Sequence, residues 1–328
     1  FSDSFGKIYS HPSLLMAGSS LTQLRLPKEQ EVIFNPVGTS FFYLPGRKPV
    51  GFNPDTGKFE VLDRFGGKEV FAVSAFVAPG YLRLLTPAYF LEKSQDLPFW
   101  AYAAAGFSKG KFCVSARRID RRVRQSPGFY NDKEVESGVK KICKLYPKNR
   151  LFKHLSHCAL CYNCLAAKNF FLQRWEAPVP TSQACNAKCL GCLSLQKNKD
   201  LSSHQRISFR PTPQEISELL ILHFKTAKEA ICSFGQGCEG EPLLETKNIV
   251  QAVELTRKQT TRGTIHVNTN ASLPQNVSRL ACAGVDSFRV SLNSARQALY
   301  RAYFRPQGYK FSDVMKSIAV AKKHKKFV

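Results

Sequence analysis

Cys185-Asn186-Ala187-Lys188-Cys189-Leu190-Gly191-Cys192 sets three thiols in a C-x₃-C-x₂-C pattern. Three thiolates at this spacing can wrap one corner of a small metal cluster, and no fourth protein ligand is supplied locally. Three ligands leave one position open, which chemistry requires, whereas a structural site is closed. Taken alone, the pattern also suits a zinc site that borrows its fourth ligand from elsewhere. The chain carries eleven cysteines, six of them between 158 and 192. Disulfide frameworks belong mostly to small secreted domains. Close C-x₂-C and C-x₃-C spacing in 328 residues, with an odd cysteine count, favours metal or iron–sulfur ligation in a reducing compartment, so a cytoplasmic protein is expected.

From about residue 177 the sequence alternates strand-like and helix-like segments. A short apolar run covers 207–209. A helix is expected over 213–226, behind Thr212 with Glu215 three positions later, the capping-box pattern. Strands follow at 229–234, 263–267 and 287–292, and helices at 245–256, 275–283 and 311–322. Such alternation implies parallel β/α units, whose ligands gather at the carboxyl ends of the strands. Three polar motifs fall at those ends: Glu239-Gly240-Glu241-Pro242, Asn268-Thr269-Asn270 and Arg289-Val290-Ser291-Leu292-Asn293. Each has a plain reading. Glu241 can precede a helix starting at Pro242, Asn270 can be a turn residue, and Ser291 and Asn293 can be ordinary strand-end groups.

The cysteine spacing followed by these motifs in this order resembles the radical S-adenosylmethionine (SAM) superfamily. Glu239 to Pro242 is similar to the family's Gly-Gly-Glu-Pro motif after the second barrel strand. Asn268 to Asn270 resembles the polar end of the third strand, and Arg289 to Asn293 that of the fourth. The resemblance covers 177–328 and implies an α/β fold, a partial (β/α)6 TIM-like barrel incomplete at its C-terminus. It implies a 4Fe–4S cluster on Cys185, Cys189 and Cys192, with the fourth iron bound to the amino and carboxylate groups of SAM. One electron would cleave the sulfonium bond, giving methionine and a 5′-deoxyadenosyl radical that abstracts hydrogen from a substrate. By the same resemblance Glu241 would accept a hydrogen bond from the SAM ammonium, and Gly240 would let the backbone come close to it. Ser291 and Asn293 would bind ribose hydroxyls or the carboxylate, with Asn268 and Asn270 as further candidates. Ferredoxin or flavodoxin would be the reductant. Three residues depart from the family pattern. Gly191 stands where an aromatic residue usually touches the adenine. Glu239 replaces the motif's first Gly. Cys238 is an extra thiol, read as a buried small residue, with a place near the active centre as the alternative.

Just upstream, His157-Cys158-Ala159-Leu160-Cys161-Tyr162-Asn163-Cys164 gives C-x₂-C-x₂-C. This spacing begins a bacterial ferredoxin run, without the fourth cysteine and its Pro. It suits an auxiliary 4Fe–4S cluster, with Cys143, His157 or the substrate as fourth ligand, or zinc. The other reading is a helix over 155–172 in which some of these thiols are partly core. On it Cys158 and Cys161 share a face, as do Cys161 and Cys164.

Lys plus Arg is 48 against 24 for Asp plus Glu, a formal charge of +24 that suggests a polyanionic partner. A hydrophobic share of 43% excludes a disordered or collagen-like chain. The longest apolar runs, 70–78 and 99–105, fall well short of the ~18 residues of a membrane span, so no membrane partner is expected. Residues 1–150 read as short β-prone runs at 31–34, 40–44, 58–62 and 69–76, with a turn at Asn53-Pro54-Asp55-Thr56-Gly57. A hairpin of 99–107 and 111–119 follows. Residues 109–153 hold fourteen basic and four acidic residues. A solvated basic face is the plain reading, and a phosphate-binding strip for RNA the sharper one. The aromatic residues there (Phe112, Phe129, Tyr130, Tyr146, Phe152) are too scattered for a stacking motif.

The expected organisation is a β-rich accessory domain over 1–150, a Cys-containing helical connector over 151–176 and a radical SAM core over 177–328. The chain starts at Phe1, and Lys326-Phe327-Val328 reads as a strand beginning, so a longer protein is expected. The expected function is a radical SAM enzyme acting on RNA or on a protein or peptide. Its rival is a zinc-stabilised nucleic-acid-binding protein without catalysis.

Overall fold

The computed structural model describes residues 1–93, 96–98, 101–196 and 202–328. The chain divides into two compact units, Phe1–Phe129 and Tyr130–Val328. The division falls earlier than the expected boundary at 150, because a helix over Asp132–Leu145 buries Val135, Val139 and Ile142 in the core of the second unit.

The first unit is antiparallel β-structure. Its largest sheet runs in the order Tyr81–Arg83, Lys111–Arg118, Ala103–Ser108, Ala72–Phe76, Ser40–Leu44, and Val32–Phe34 also pairs with Lys111–Arg118. Ala75, Ala103, Val114 and Ala116 form its small core. Lys109 and Gly110 both take positive φ, which matches the twist of the hairpin they close. Residues 99 and 100 of the expected first hairpin strand lie outside the described residues. The turn after Asn53 joins Arg47–Asn53 to Lys58–Val61, with the Asn53 side chain accepting from Asp55 N at 2.9 Å.

The second unit begins with three helices, α1 (Asp132–Leu145), α2 (Arg150–Leu160) and α3 (Leu165–Phe171). The helix expected over 155–172 is therefore broken between Leu160 and Leu165. There Asn163 takes a left-handed φ of 52° and Cys164 N donates to Cys158 O at 3.0 Å. Then β1 (Glu176–Pro178), α4 (Pro213–Thr226), β2 (Ile231–Phe234), α5 (Thr246–Arg257), β3 (Thr264–Thr269), α6 (Pro274–Ala283), β4 (Ser287–Val290), α7 (Gln297–Phe304) and α8 (Phe311–Lys323) follow. The strands form one parallel sheet in the order β1-β2-β3-β4. Phe327 bridges Ser287 in parallel, so the chain starts a further extended segment beside β4. Ala177, Cys232, Phe234, Ile265, Val267 and Phe288 are buried, as a sheet covered by helices requires. No helix among the described residues is long and apolar enough to cross a membrane.

The capping box of α4 does more than end a helix. The Glu215 carboxylate accepts Thr212 N at 2.7 Å, while Thr212 Oγ1 accepts Glu215 N at 3.2 Å. The same carboxylate takes Arg150 through Nε and Nη2, each at 2.7 Å, and through its backbone N at 3.0 Å. Asn149 adds a bond to Glu215 O at 3.0 Å. The starts of α2 and α4 are thus tied at one point. Burial alone would raise the Glu215 pKa, but the Arg150 guanidinium and the two amides pull it down to about 2. A depressed carboxylate stabilises the fold above its unfolded pKa of 4.5, and that contribution is lost as pH falls toward about 2. Glu215→Ala is expected to cost about 2 kcal/mol, less than a fully buried pair because Arg150 is half exposed. Urea unfolding at pH 7 and pH 3 checks this. The wild-type advantage over the variant must shrink at pH 3.

Candidate active site

The loop that follows β1 carries Cys185, Cys189 and Cys192, and it is irregular backbone that needs hydrogen-bond partners. On one side it finds them in the loop after β2. Gly240 N donates to Ser182 O at 2.6 Å, and Glu241 N to Ala184 O at 2.8 Å. A Cβ on Gly240 would lie 1.9 Å from Ala184 O, so only glycine permits this approach. The space Gly240 leaves is therefore filled by the cysteine loop's own backbone. Glu239, at the place of the family's first Gly, is buried and acts as a staple. It accepts from Thr181 N at 2.8 Å, Thr181 Oγ1 at 2.9 Å, Ser182 N at 2.9 Å and Gly235 N. Burial pushes its pKa up to about 7 against the pull of these donors. Gly235 itself has a φ of 75°, and a Cβ there would strike Asn268 O.

On the other side the loop leans on α7 and the turn after it. Lys188 N donates to Phe304 O and Leu190 N to Tyr303 O, both at 3.0 Å, and Gln307 N to Asn186 O at 2.8 Å. Sequence reasoning missed α7. Its signal was the pair Tyr300 and Phe304, one turn apart, both buried and stacked at 4.6 Å. Cys185 and Cys189 pack against the same small core, with Ala187, Ala271, Tyr309 and Val314.

The three thiols sit within electrostatic reach of one another. Burial pushes Cys189 up to about 12, and the neighbouring Cys185 and Cys192 add to it. Burial also raises Cys185, where the Ala187 amide and Arg206 work the other way. Arg206 is a second residue the sequence did not single out. Its Nη2 lies 3.8 Å from Cys192 Sγ, while Nη1 donates to Gln183 O at 3.2 Å and Nε to Ser194 Oγ at 3.3 Å. Among the described residues, no three His, Cys, Asp or Glu side chains form a group that could hold a single metal ion. A zinc ion with Zn–S near ~2.3 Å draws its thiolates tightly together, whereas a 4Fe–4S cluster takes one thiolate at each of three separate irons. Mutually repelling, half-buried thiols beside a guanidinium fit the cluster, whose irons stabilise the thiolate form.

Glu241 is buried and lies within electrostatic reach of Cys185 and Cys189. It accepts from Leu243 N at 3.1 Å, from Asn270 N at 2.8 Å and from Thr269 Oγ1. It thus caps the turn Pro242–Glu245 and also ties that turn to the end of β3. Burial raises its pKa to about 7. Asn270 donates to Asn186 Oδ1 at 2.8 Å and accepts from Ser272 N at 3.0 Å, which fixes the cysteine loop to β3. Asn268 donates to Phe234 O at 2.8 Å, and its Oδ1 meets His266 Nε2 at 3.1 Å. Both asparagines are engaged within the protein. Ser291 and Asn293 follow β4 and are exposed, and Ser291 N donates to Thr269 O at 2.8 Å. In the other cysteine group, Cys158 is buried near the end of α2, Cys161 is its exposed C-cap and Cys164 the N-cap of α3.

A family model described as "Radical SAM superfamily" matches residues 179–328. These residues form a radical SAM domain. The cysteine loop, Gly240, Glu241 and the ends of β3 and β4 all lie inside it. The crystal structure of HydG, a maturase of the FeFe-hydrogenase, is similar at 17% identity and a TM-score of 0.34, covering 60% of this chain and 48% of HydG. The chain thus spans about half the length of that protein. No curated protein matches the chain.

A cation beside an iron–sulfur cluster favours the more electron-rich state. Arg206→Gln is expected to lower the reduction potential of the reconstituted cluster while leaving its iron content unchanged. Potentiometric titration followed by electron paramagnetic resonance reads the shift, and an unchanged potential contradicts the role given to Arg206.

Proposed function

We propose that this chain is a radical SAM enzyme that cleaves SAM reductively at a 4Fe–4S cluster on Cys185, Cys189 and Cys192. The observation that carries this reading is the cysteine loop itself. It is braced by Gly240 and Glu241 on one side and by α7 on the other, within a radical SAM domain. The cluster with SAM supplies a one-electron cleavage of the sulfonium bond and a 5′-deoxyadenosyl radical that takes hydrogen from the substrate. The parallel strands β1–β4, with Phe327 beginning beside β4, are read as the first part of a (β/α)6 barrel.

Each residue then has a task. Glu241, within reach of Cys185 and Cys189, accepts the SAM ammonium, and that cation returns its raised pKa toward the ionised form. Ser291 and Asn293 are exposed at the end of β4 and take ribose hydroxyls or the carboxylate. Asn268 and Asn270 hold the strand ends, so their contribution to SAM binding is through position. Gly191 lacks the usual aromatic side chain, but a Cβ there would lie 2.7 Å from Tyr303 Oη. We assign the adenine contact to the Tyr303 ring. A ferredoxin or flavodoxin delivers the electron. The high positive charge points to RNA as substrate class. No observation favours a zinc-stabilised binding protein.

The test uses anaerobically reconstituted protein with dithionite and SAM, assayed for 5′-deoxyadenosine. Nucleoside formation is expected, and zinc in place of iron with no nucleoside rejects the reading. Glu241→Gln and Tyr303→Ala are each expected to weaken SAM binding by about tenfold, the scale of a charge-assisted hydrogen bond or of one stacked base. Equilibrium dialysis on cluster-loaded protein measures both, with iron content as control. For the substrate, RNA affinity must fall steeply with salt. Salt-independent binding, or hydrogen abstraction from a peptide instead, replaces RNA.

A further inference from the structure

The aromatic residues of 109–153 look scattered along the sequence, but the fold of the first unit gives one of them close neighbours. Phe112 is the direct cross-strand partner of Phe107 in the hairpin of Ala103–Ser108 and Lys111–Arg118, with ring centroids 5.3 Å apart. Phe41, from Ser40–Leu44, brings its ring to 4.9 Å from the same Phe112. Phe107 is nevertheless 49% exposed and Phe112 37%. An exposed apolar cluster rimmed by polar groups marks a contact surface. Here the rim is basic. The hairpin carries Lys109, Lys111, Arg117 and Arg118 and no acidic residue. Lys109 and Lys111 are exposed at the turn that joins the two phenylalanine-bearing strands. Phe34 pairs with Cys113 and so lies on the other face of the hairpin from Phe112. That ring is 55% exposed, with Lys111 Nζ 5.6 Å from its centroid.

The same two rings line a cavity of about 300 Å³, together with Tyr9, His11, Leu14 and Met16. Its size is at the lower end of pockets that take small ligands. No acidic residue lines it among the described residues. Another exposed lysine, Lys7, holds its Nζ 5.4 Å from the centroid of the Tyr9 ring. Asp3 accepts the Tyr9 hydroxyl at 3.0 Å, but it also accepts the Phe5 and Lys7 amides, each at 3.0 Å, so its charge is held within the chain. An aromatic, acid-free slot with lysines at its edges thus lies beside two exposed rings.

We propose that this end of the first unit grips single-stranded RNA, with bases stacked on Phe107 and Phe112, one base in the cavity, and Lys109 and Lys111 on the phosphates. Every base has a π-face, so aromatic rings beside a cationic strip hold a strand without reading its sequence. The lysines supply the salt-dependent part by neutralising phosphates. Four cations with no acid on the hairpin favour a polyanion over a protein surface of mixed charge. A duplex hides the faces of its bases, so the rings select a single strand. The choice of RNA among polyanions rests on the function proposed above. The surface holds the strand and takes no part in the chemistry at Cys185, Cys189 and Cys192.

The test measures fluorescence anisotropy of a labelled oligouridine RNA of about twelve nucleotides, titrated with the full chain. Phe107→Leu and Phe112→Leu keep apolar bulk and remove the ring, and each is expected to weaken binding about tenfold. Phe112→Trp is expected to bind at least as tightly as the wild type. Lys109→Gln/Lys111→Gln is expected to flatten the log–log dependence of affinity on salt by about one. The oligouridine paired with oligoadenine is expected to bind more weakly than the single strand. Unchanged affinity in both leucine variants with native circular dichroism, or equal binding of the duplex, overturns the proposal. Self-association in sedimentation velocity that Phe112→Leu abolishes makes the patch an interface between copies and overturns it too. Formation of 5′-deoxyadenosine by cluster-loaded protein separates the two readings. A wild type that forms the nucleoside and binds no RNA removes this proposal and leaves the SAM chemistry standing. RNA binding that depends on both rings, with no nucleoside formed, supports the platform and removes the radical SAM reading alone.

Discussion

The contact between Gly240 and Ala184 is the constraint on which the second unit's chemistry depends. Two irregular loops lie so close that a single methyl group on Gly240 would meet a carbonyl oxygen at 1.9 Å. Backbone that close must exchange hydrogen bonds or lose them, and here it exchanges two, at Ser182 and Ala184. The residue after Ala184 is the first cysteine. Its position is therefore set by main-chain bonds from the neighbouring strand's loop, and a side-chain change at the surface would hardly move it. Tyr303, Phe304 and Gln307 fix the rest of the loop from the opposite side. A cysteine loop held from two sides is pre-organised, which would lower the ordering cost of binding a cluster there.

The electrostatics of this end of the sheet follow from burial. Glu239 and Glu241 are both buried, and both have their pKa pushed up to about 7. They differ in what surrounds them. All the partners of Glu239 are donors from the chain, so its charge is spent within the protein. Glu241 has donors too, but it also lies near Cys185 and Cys189, and its charge adds to burial in raising the pKa of both thiols. An iron–sulfur core and the ammonium of SAM would supply the positive charge that this region of buried acids and thiols lacks. Arg206 is the cation the protein itself places against Cys192.

Local signals in the sequence were read well where the structure they specify is also local. The Thr212–Glu215 capping box places α4 at its observed bounds, and the hairpin at Lys109-Gly110 forms where its turn chemistry demands. The alternation after 177 yields the parallel sheet. What escaped depends on contacts far apart in the chain. Helix α7 earns its stability by packing Tyr300 and Phe304 under the cysteine loop, a partner more than a hundred residues upstream. Arg206 reaches back to Cys192 from beyond a long connection. The single helix considered over 155–172 breaks because its cysteines sit in a bend. The boundary at 129 depended on where the apolar face of α1 would bury, and a helix pattern alone does not say against which core it packs.

The departures from the family pattern become intelligible in the four residues 238–241. In extended or irregular backbone, successive side chains point in different directions, and each of these meets a different element. Cys238 is buried, and its carbonyl accepts Ile207 N. Glu239 is bonded to Thr181 and Ser182 after β1. Gly240 carries no side chain because Ala184 occupies that place. Glu241 turns to the end of β3. Replacing the first Gly by Glu239 therefore leaves the backbone path next to the cysteine loop intact, since the new carboxylate is aimed away from Gly240 and into amides that would otherwise lack partners. The substitution adds a clamp without adding bulk where the loops touch. Gly191 follows the same logic in reverse, since the side chain it gives up makes room for the Tyr303 hydroxyl arriving from α7.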